Sequence, residues 1–125
     1  MADPQKFKTN IKNILIQESY ISFLGDDFDQ IVLNLSEKQT EKIYAWLLKV
    51  VKKEIQPITV GSPKPYKSWK MHELLIFRYP FILKMNEYRI LLVKVKNIIY
   101  IEFHMGNHKY YDKIRKELSL KQSSS

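Results

Sequence analysis

The sequence predicts an α+β domain in which N-terminal helices pack on one face of a small antiparallel sheet and a short helix follows at the C-terminus. Three observations carry this. Apolar residues recur at helical spacing in the first half, and from Met71 onward the period becomes two. The strongest helix has its own start signal, Ser36 with Gln39 three residues later. Finally, "EYRILLVKV" and "IIYIEFHM" are rich in Ile, Val and Tyr, which suit a pleated surface.

In "FKTNIKNILIQ", Phe7, Ile11, Ile14 and Leu15 share a helical face. "YISFLG" alternates loosely and ends at a glycine, as a first strand would. "DDFDQIVLNL" opens on acidic residues that suit a helix N-terminus, and Phe28, Ile31, Val32 and Leu35 lie on one side. "SEKQTEKIYAWLLKVVKKEI" places Ile43, Trp46, Leu47, Val50 and Val51 in an apolar stripe, with Pro57 expected to stop the helix. "QPITVGSPKPYKSWK" holds three prolines and a glycine and reads as a loop. "HELLIFRY" reads as a strand ending before Pro80, and "KYYDKIRKELSL" as a terminal helix. The expected layout is a helical extension over 1–18, one domain over 19–118 and a disordered tail over 119–125.

At 125 residues the chain suits a single core. It has no cysteine, which excludes disulfides and thiolate metal sites and fits a reducing cytoplasm. Met-Ala-Asp-Pro is not read as a signal peptide, and no apolar run approaches a membrane span. The net charge of +8 is unevenly spread. Residues 1–63 balance 8 basic against 8 acidic side chains, whereas residues 64–96 carry 8 basic against only Glu73 and Glu87. Such a block favours a polyanion, with nucleic acid the usual partner; a basic, soluble surface without a partner is the plain alternative.

A two-residue turn at Lys96-Asn97 would pair Val95 with Ile98 and set Arg89 directly across from His104; a three-residue loop would set Arg89 against Met105. Alternation then gives one apolar face, with Ile90, Leu92, Ile99, Ile101 and Phe103, expected under the helices. The other face, with Arg89, Leu91, Val93, Tyr100, Glu102 and His104, is mixed and expected to be exposed. His108, Lys109, Tyr110 and Tyr111 follow at its polar end.

An imidazole beside a guanidinium suits metal-free RNA cleavage. Histidine can take the 2′-hydroxyl proton or protonate the leaving 5′-oxygen, and arginine can hold the charge that builds on phosphorus. Tyrosines can stack on bases. Each residue also has a structural role open to it. Arg89 could pair with Glu102 or Glu73, one of Tyr110 and Tyr111 could be core, and Asp112 could cap the last helix. His72 is read as structural. The three histidines lack a metal-ligand spacing, there is no glycine-rich phosphate loop, and no cofactor is expected.

"YRILLVKVKNIIYIEFHMGNHKYYDKI", Tyr88 to Ile114, resembles the end of RelE/ParE-superfamily toxins of type II toxin–antitoxin systems, nearest to HigB-like and YoeB-like members. The shared features are Tyr88-Arg89 opening a strand and the ending His108-Lys109-Tyr110-Tyr111-Asp112. "LSEKQTEKIYAWLLKVV" is similar to their second helix and "GSPKPYK" to the loop before the sheet. The resemblance implies a cytoplasmic endoribonuclease that cuts mRNA, usually on the ribosome, and is held by an acidic antitoxin. On that pattern Arg89 holds the scissile phosphate, His104 or His108 transfers protons and Tyr111 orients a base. Lys64, Lys67, Lys70, Arg78 and Lys109 would bind RNA. The added segment 1–18 and a Pro80 loop interrupting the sheet depart from the pattern. A gyrase-directed ParE-like toxin of the same fold and a basic RNA- or ribosome-binding module remain as alternatives.

Overall fold

The computed structural model describes residues 2–15, 20–60, 74–95 and 100–118. Among these, the elements run α1 (Pro4–Ile14), β1 (Ile21–Leu24), α2 (Phe28–Leu33), α3 (Glu37–Val51), β2 (Ile58–Val60), β3 (Leu74–Leu83), β4 (Asn86–Val95), β5 (Ile101–Asn107) and α4 (His108–Glu117). Local chemistry sets most of these boundaries. Asp3 accepts from the Gln5 N–H at 2.9 Å and Pro4 takes the first helical position, so α1 starts three residues earlier than its apolar face suggests. The Ser36–Gln39 capping box forms as expected. Pro57 does not end α3. The helix stops at Val51, where Lys53 turns to φ 62° and the Glu54 N–H reaches back to the Lys49 carbonyl at 2.9 Å.

The expected α+β class holds, but the sheet is mixed rather than purely antiparallel. Its order is β1-β5-β4-β3-β2, with β1 parallel to β5 and the other neighbours antiparallel. The anticipated meander is therefore flanked by β1 on one side and β2 on the other. β3 also runs straight through Pro80 instead of ending before it. The turn lies at Lys84 and Met85, both at positive φ, as a two-residue I′ hairpin requires. Counting back from the closing pair Leu83–Asn86, Pro80 faces Arg89 at a position without ladder bonds. Its missing N–H thus points away from β4, and β2 reaches only as far as Ile76.

Helices cover both faces of the sheet. On one, α1, α2 and α3 enclose Phe7, Phe28, Ile43, Leu47, Ile90, Leu92, Ile101 and Phe103. Phe7 and Ile11 are buried in this core, so residues 4–14 are integral to the domain rather than an appendage. On the other, α4 lays Tyr111, Ile114 and Leu118 over Leu74, Ile76, Leu91, Val93 and Val95. The expectation of an exposed second face is corrected here. Ile90 to Val93 are all buried, a central strand with no solvent side. Gln39 links the layers: its side-chain amide donates to the Ile82 carbonyl at 2.8 Å on the flank of β3 away from β4.

Two glycines allow close approaches. Gly25 sits at φ 154°, and a Cβ there would lie 2.2 Å from the Met105 carbonyl oxygen. A Cβ on Gly106 would lie 2.6 Å from the Tyr110 ring of α4. Gly25→Ala is expected to destabilise the fold by about 2–3 kcal/mol through overpacking and backbone strain, measured as a lower urea midpoint with unchanged slope.

Candidate functional site

The α4-covered face holds two separate polar clusters. The β4–β5 register places Leu91, not Arg89, across from His104, and Arg89 faces Gly106. This slip of two residues keeps Arg89 and His104 on the same side of the sheet but parts them.

His104 is only 4% exposed and fully committed. Its Nε2 lies 2.8 Å from Glu102 Oε1 and its Nδ1 2.7 Å from the Tyr110 hydroxyl. A carboxylate only accepts, so Nε2 carries the proton, and in the neutral imidazole Nδ1 accepts from the phenol. Tyr100 donates to the other Glu102 oxygen at 3.0 Å, and Ser22 Oγ of β1 lies 3.4 Å from that phenol. The chain Tyr110–His104–Glu102–Tyr100 satisfies the polar groups that α4 covers. The expected Arg89–His104 pair on an open surface is therefore corrected: His104 is a buried structural histidine. Burial, and after it the charges of Asp26, Glu102 and Glu117, raises the Tyr110 pKa well above its ordinary value of 10.0. Burial is also the largest cause of the raised pKa values of Tyr100 and Tyr79.

The second cluster lies where β3, β4 and α4 meet. Tyr111 is 3% exposed, pinned by its helix against the sheet. Arg78 Nη1 donates to its hydroxyl at 3.0 Å, and the Arg89 guanidinium lies 4.4 Å from its ring centre. Arg78 and Arg89 are diagonal neighbours on adjacent strands, since Arg78 faces Leu91 and Pro80 faces Arg89. Both arginines are partly buried residues, Arg89 with 22% of its side chain exposed. Tyr111 is thus a pedestal for two arginines, and its covered ring is not open to stack on a base as expected. Glu87, two residues before Arg89 on the same face of β4, closes an ion pair with it. Arg78 has no carboxylate partner among the described residues.

His108, Tyr111, Asp112 and Arg115 occupy one flank of α4. Asp112 bridges His108 Nδ1 at 3.1 Å and Arg115 Nε at 3.3 Å, so it links two side chains of α4 rather than capping the helix. Asn107 makes that cap, accepting from the Tyr110 N–H. His108 itself stands in solvent, with 64% of its side chain exposed.

Of the expected site residues, Arg78, Arg89 and Tyr111 are brought into contact, and His108 lies one helical turn from Tyr111. His104 is excluded by burial. Lys109 lines a cavity of about 450 Å³ on the α2 side of α4, with Asp26, Asp27, Lys113 and Tyr88. Lys64, Lys67, Lys70 and His72 lie outside the described residues. Glu87 and Arg115 were not singled out from sequence. Their i, i+2 strand spacing and i, i+3 helix spacing to Arg89 and Asp112 are the signals that could have found them. Among the described residues no cluster of three or more His, Asp or Glu side chains could hold a metal, and no helix is long and apolar enough to cross a membrane. Comparison with known proteins gives no match to a family model, to a curated protein or to a solved structure.

Two outcomes follow from the buried chain. His104→Ala removes one donor from the Glu102 carboxylate beneath α4 and leaves the Tyr110 hydroxyl without its imidazole partner, and is expected to cost about 1–3 kcal/mol in urea unfolding. A tyrosine whose folded pKa is raised stabilises the fold fully below its unfolded pKa, about 10, and loses that contribution as pH climbs toward the folded value. Stability is therefore expected to fall above pH ~10, and to fall less steeply in Tyr110→Phe, measured by urea unfolding across the alkaline range.

Proposed function

We propose that this chain is an RNA-binding protein that grips phosphates at the Arg78–Tyr111–Arg89 cluster, and that it acts there as a metal-independent endoribonuclease of the type II toxin kind, cutting mRNA in the cytoplasm. The observation that carries the reading is Arg78: a partly buried arginine bonded to the Tyr111 hydroxyl, with no carboxylate among the described residues to balance it. Holding an uncompensated arginine partly out of water is costly unless an anion arrives. A planar guanidinium offers paired donors matched to phosphate oxygens, and a second guanidinium, Arg89, lies against the same ring, although Glu87 pairs with it. The basic excess of residues 64–96 supports a polyanionic ligand.

In the proposed reaction the 2′-oxygen bonds to phosphorus and the P–O5′ bond breaks, leaving a 2′,3′-cyclic phosphate. Arg78 and Arg89 hold the non-bridging oxygens as charge builds. His108, exposed and oriented by Asp112, takes the 2′ proton and returns it through water to the 5′-oxygen. An acidic antitoxin segment would cover the same arginines. A second reading is favoured by the burial of His104, which leaves a single histidine on this surface among the described residues. In that reading the chain is a non-catalytic RNA- or ribosome-binding module.

Expression of the wild type should arrest growth and create new mRNA ends. Arg78→Ala and Arg89→Ala should each weaken RNA binding about tenfold, measured by fluorescence anisotropy, as expected for one lost charge-assisted contact. His108→Ala should leave binding intact and lower cleavage ~10²-fold or more. Binding without cleavage in the wild type would establish the second reading. Arrest that survives all three substitutions would point to a gyrase-directed or other interaction toxin. A wild type that binds no RNA sinks both RNA readings.

A further inference from the structure

We infer that Glu87 is a built-in competitor for the anion at this site: its carboxylate occupies the edge of the Arg89 guanidinium that a phosphate oxygen would take, so the cleft is self-inhibited until a ligand displaces it. The inference rests on the anion-binding reading above and adds its regulation. The Arg89 guanidinium carbon lies 4.4 Å from the Tyr111 ring centre, so the ring takes up one side of the group and the N–H donors on its outer edge remain for bonding. Glu87 takes that edge, the two residues pointing to the same side of β4.

Among the described residues no other side chain is placed to do so. The residues directly across from Arg89 are Pro80 on β3 and Gly106 on β5, and neither carries a polar side chain. The other carboxylate of this flank, Asp112, is engaged with His108 and Arg115. Glu87 lies opposite Ile82, which is itself exposed, so nothing locks the carboxylate in place once it is displaced. Its side chain is 43% exposed and Arg89's 22%, so the pair is weak enough to exchange. Arg78, bonded to a phenol and to no carboxylate among the described residues, provides the first hold for the incoming anion, and Arg89 then swaps one carboxylate for one phosphate oxygen.

Inorganic pyrophosphate and a single-stranded RNA oligonucleotide, titrated in parallel, test this. Glu87→Gln is compared with Glu41→Gln, which removes the same charge from α3 in the opposite layer. Pyrophosphate binding is followed through arginine side-chain Nε–H resonances and RNA binding through anisotropy. Glu87→Gln should tighten pyrophosphate about 2–5-fold beyond Glu41→Gln, the span of an exposed ion pair, and the gain should vanish in an Arg89→Ala background. Equal effects of the two glutamine variants, a gain that persists without Arg89, or no pyrophosphate binding by any variant would overturn the inference. A pyrophosphate gain with no RNA binding by any variant would keep Glu87's role and overturn the RNA reading instead.

Discussion

The rest of the structure depends on one constraint: β4 runs through the middle of the sheet with four consecutive apolar residues, Ile90 to Val93, and each side needs a cover. Helices α1 to α3 supply one and α4 the other. Burying the two that face α4, Leu91 and Val93, is worth on the order of 3–6 kcal/mol before the entropy of ordering the chain is counted, so α4 is held by apolar contact first. Its docking has a polar consequence. Glu102, His104, Arg78 and Arg89 lie on the face it covers, and each has to find a partner or reach the rim. The two outcomes are visible side by side. Toward β5 the groups are sealed and paired. Toward β3 two guanidinium groups remain partly in water.

Much of the fold was legible. The capping box, the switch to a period of two and the apolar face carrying Ile90, Leu92, Ile101 and Phe103 behave as their patterns say, and so does the α3 stripe through Ile43, Trp46, Leu47 and Val50, although Val51 at its end is exposed. The misreading of the second face has a physical origin. Alternation was imposed on "RILLVKV", whereas an unbroken apolar run signals a strand covered twice. Pro80 was treated as a breaker because a proline removes a donor, yet on an open flank that donor has nothing to bond, and the strand continues. The Lys84-Met85 turn was missed because neither residue favours positive φ; the ten-residue pairing of the two strands imposes it.

The candidate site was half legible for the same reason. Strand parity survives a slip of two residues, so placing Arg89 and His104 on one face was sound, while the distance between them was not. Burial decided their fates, and burial at this face depends on whether the C-terminal helix folds back. Sequence spacing alone does not settle that. Tyr111 shows the point most clearly. Spacing from Ile114 marks one of Tyr110 and Tyr111 as core while the family resemblance gives Tyr111 to a base; the structure buries Tyr111 with Ile114 and Leu118, where it contacts the arginines.

Gln39 ties a local event to a distant one. One end of its amide accepts from Ser36 to start α3, and the other donates to Ile82, 43 positions along the chain. Glutamate would serve the helix start equally well but has no proton to offer the strand. The choice of amide over acid therefore makes initiation of a helix and docking of a hairpin mutually reinforcing, which favours all-or-none assembly over piecemeal ordering. The same bond occupies a carbonyl on the flank of β3 where a foreign strand would otherwise add, so a single side chain guards against misassembly while it promotes cooperativity.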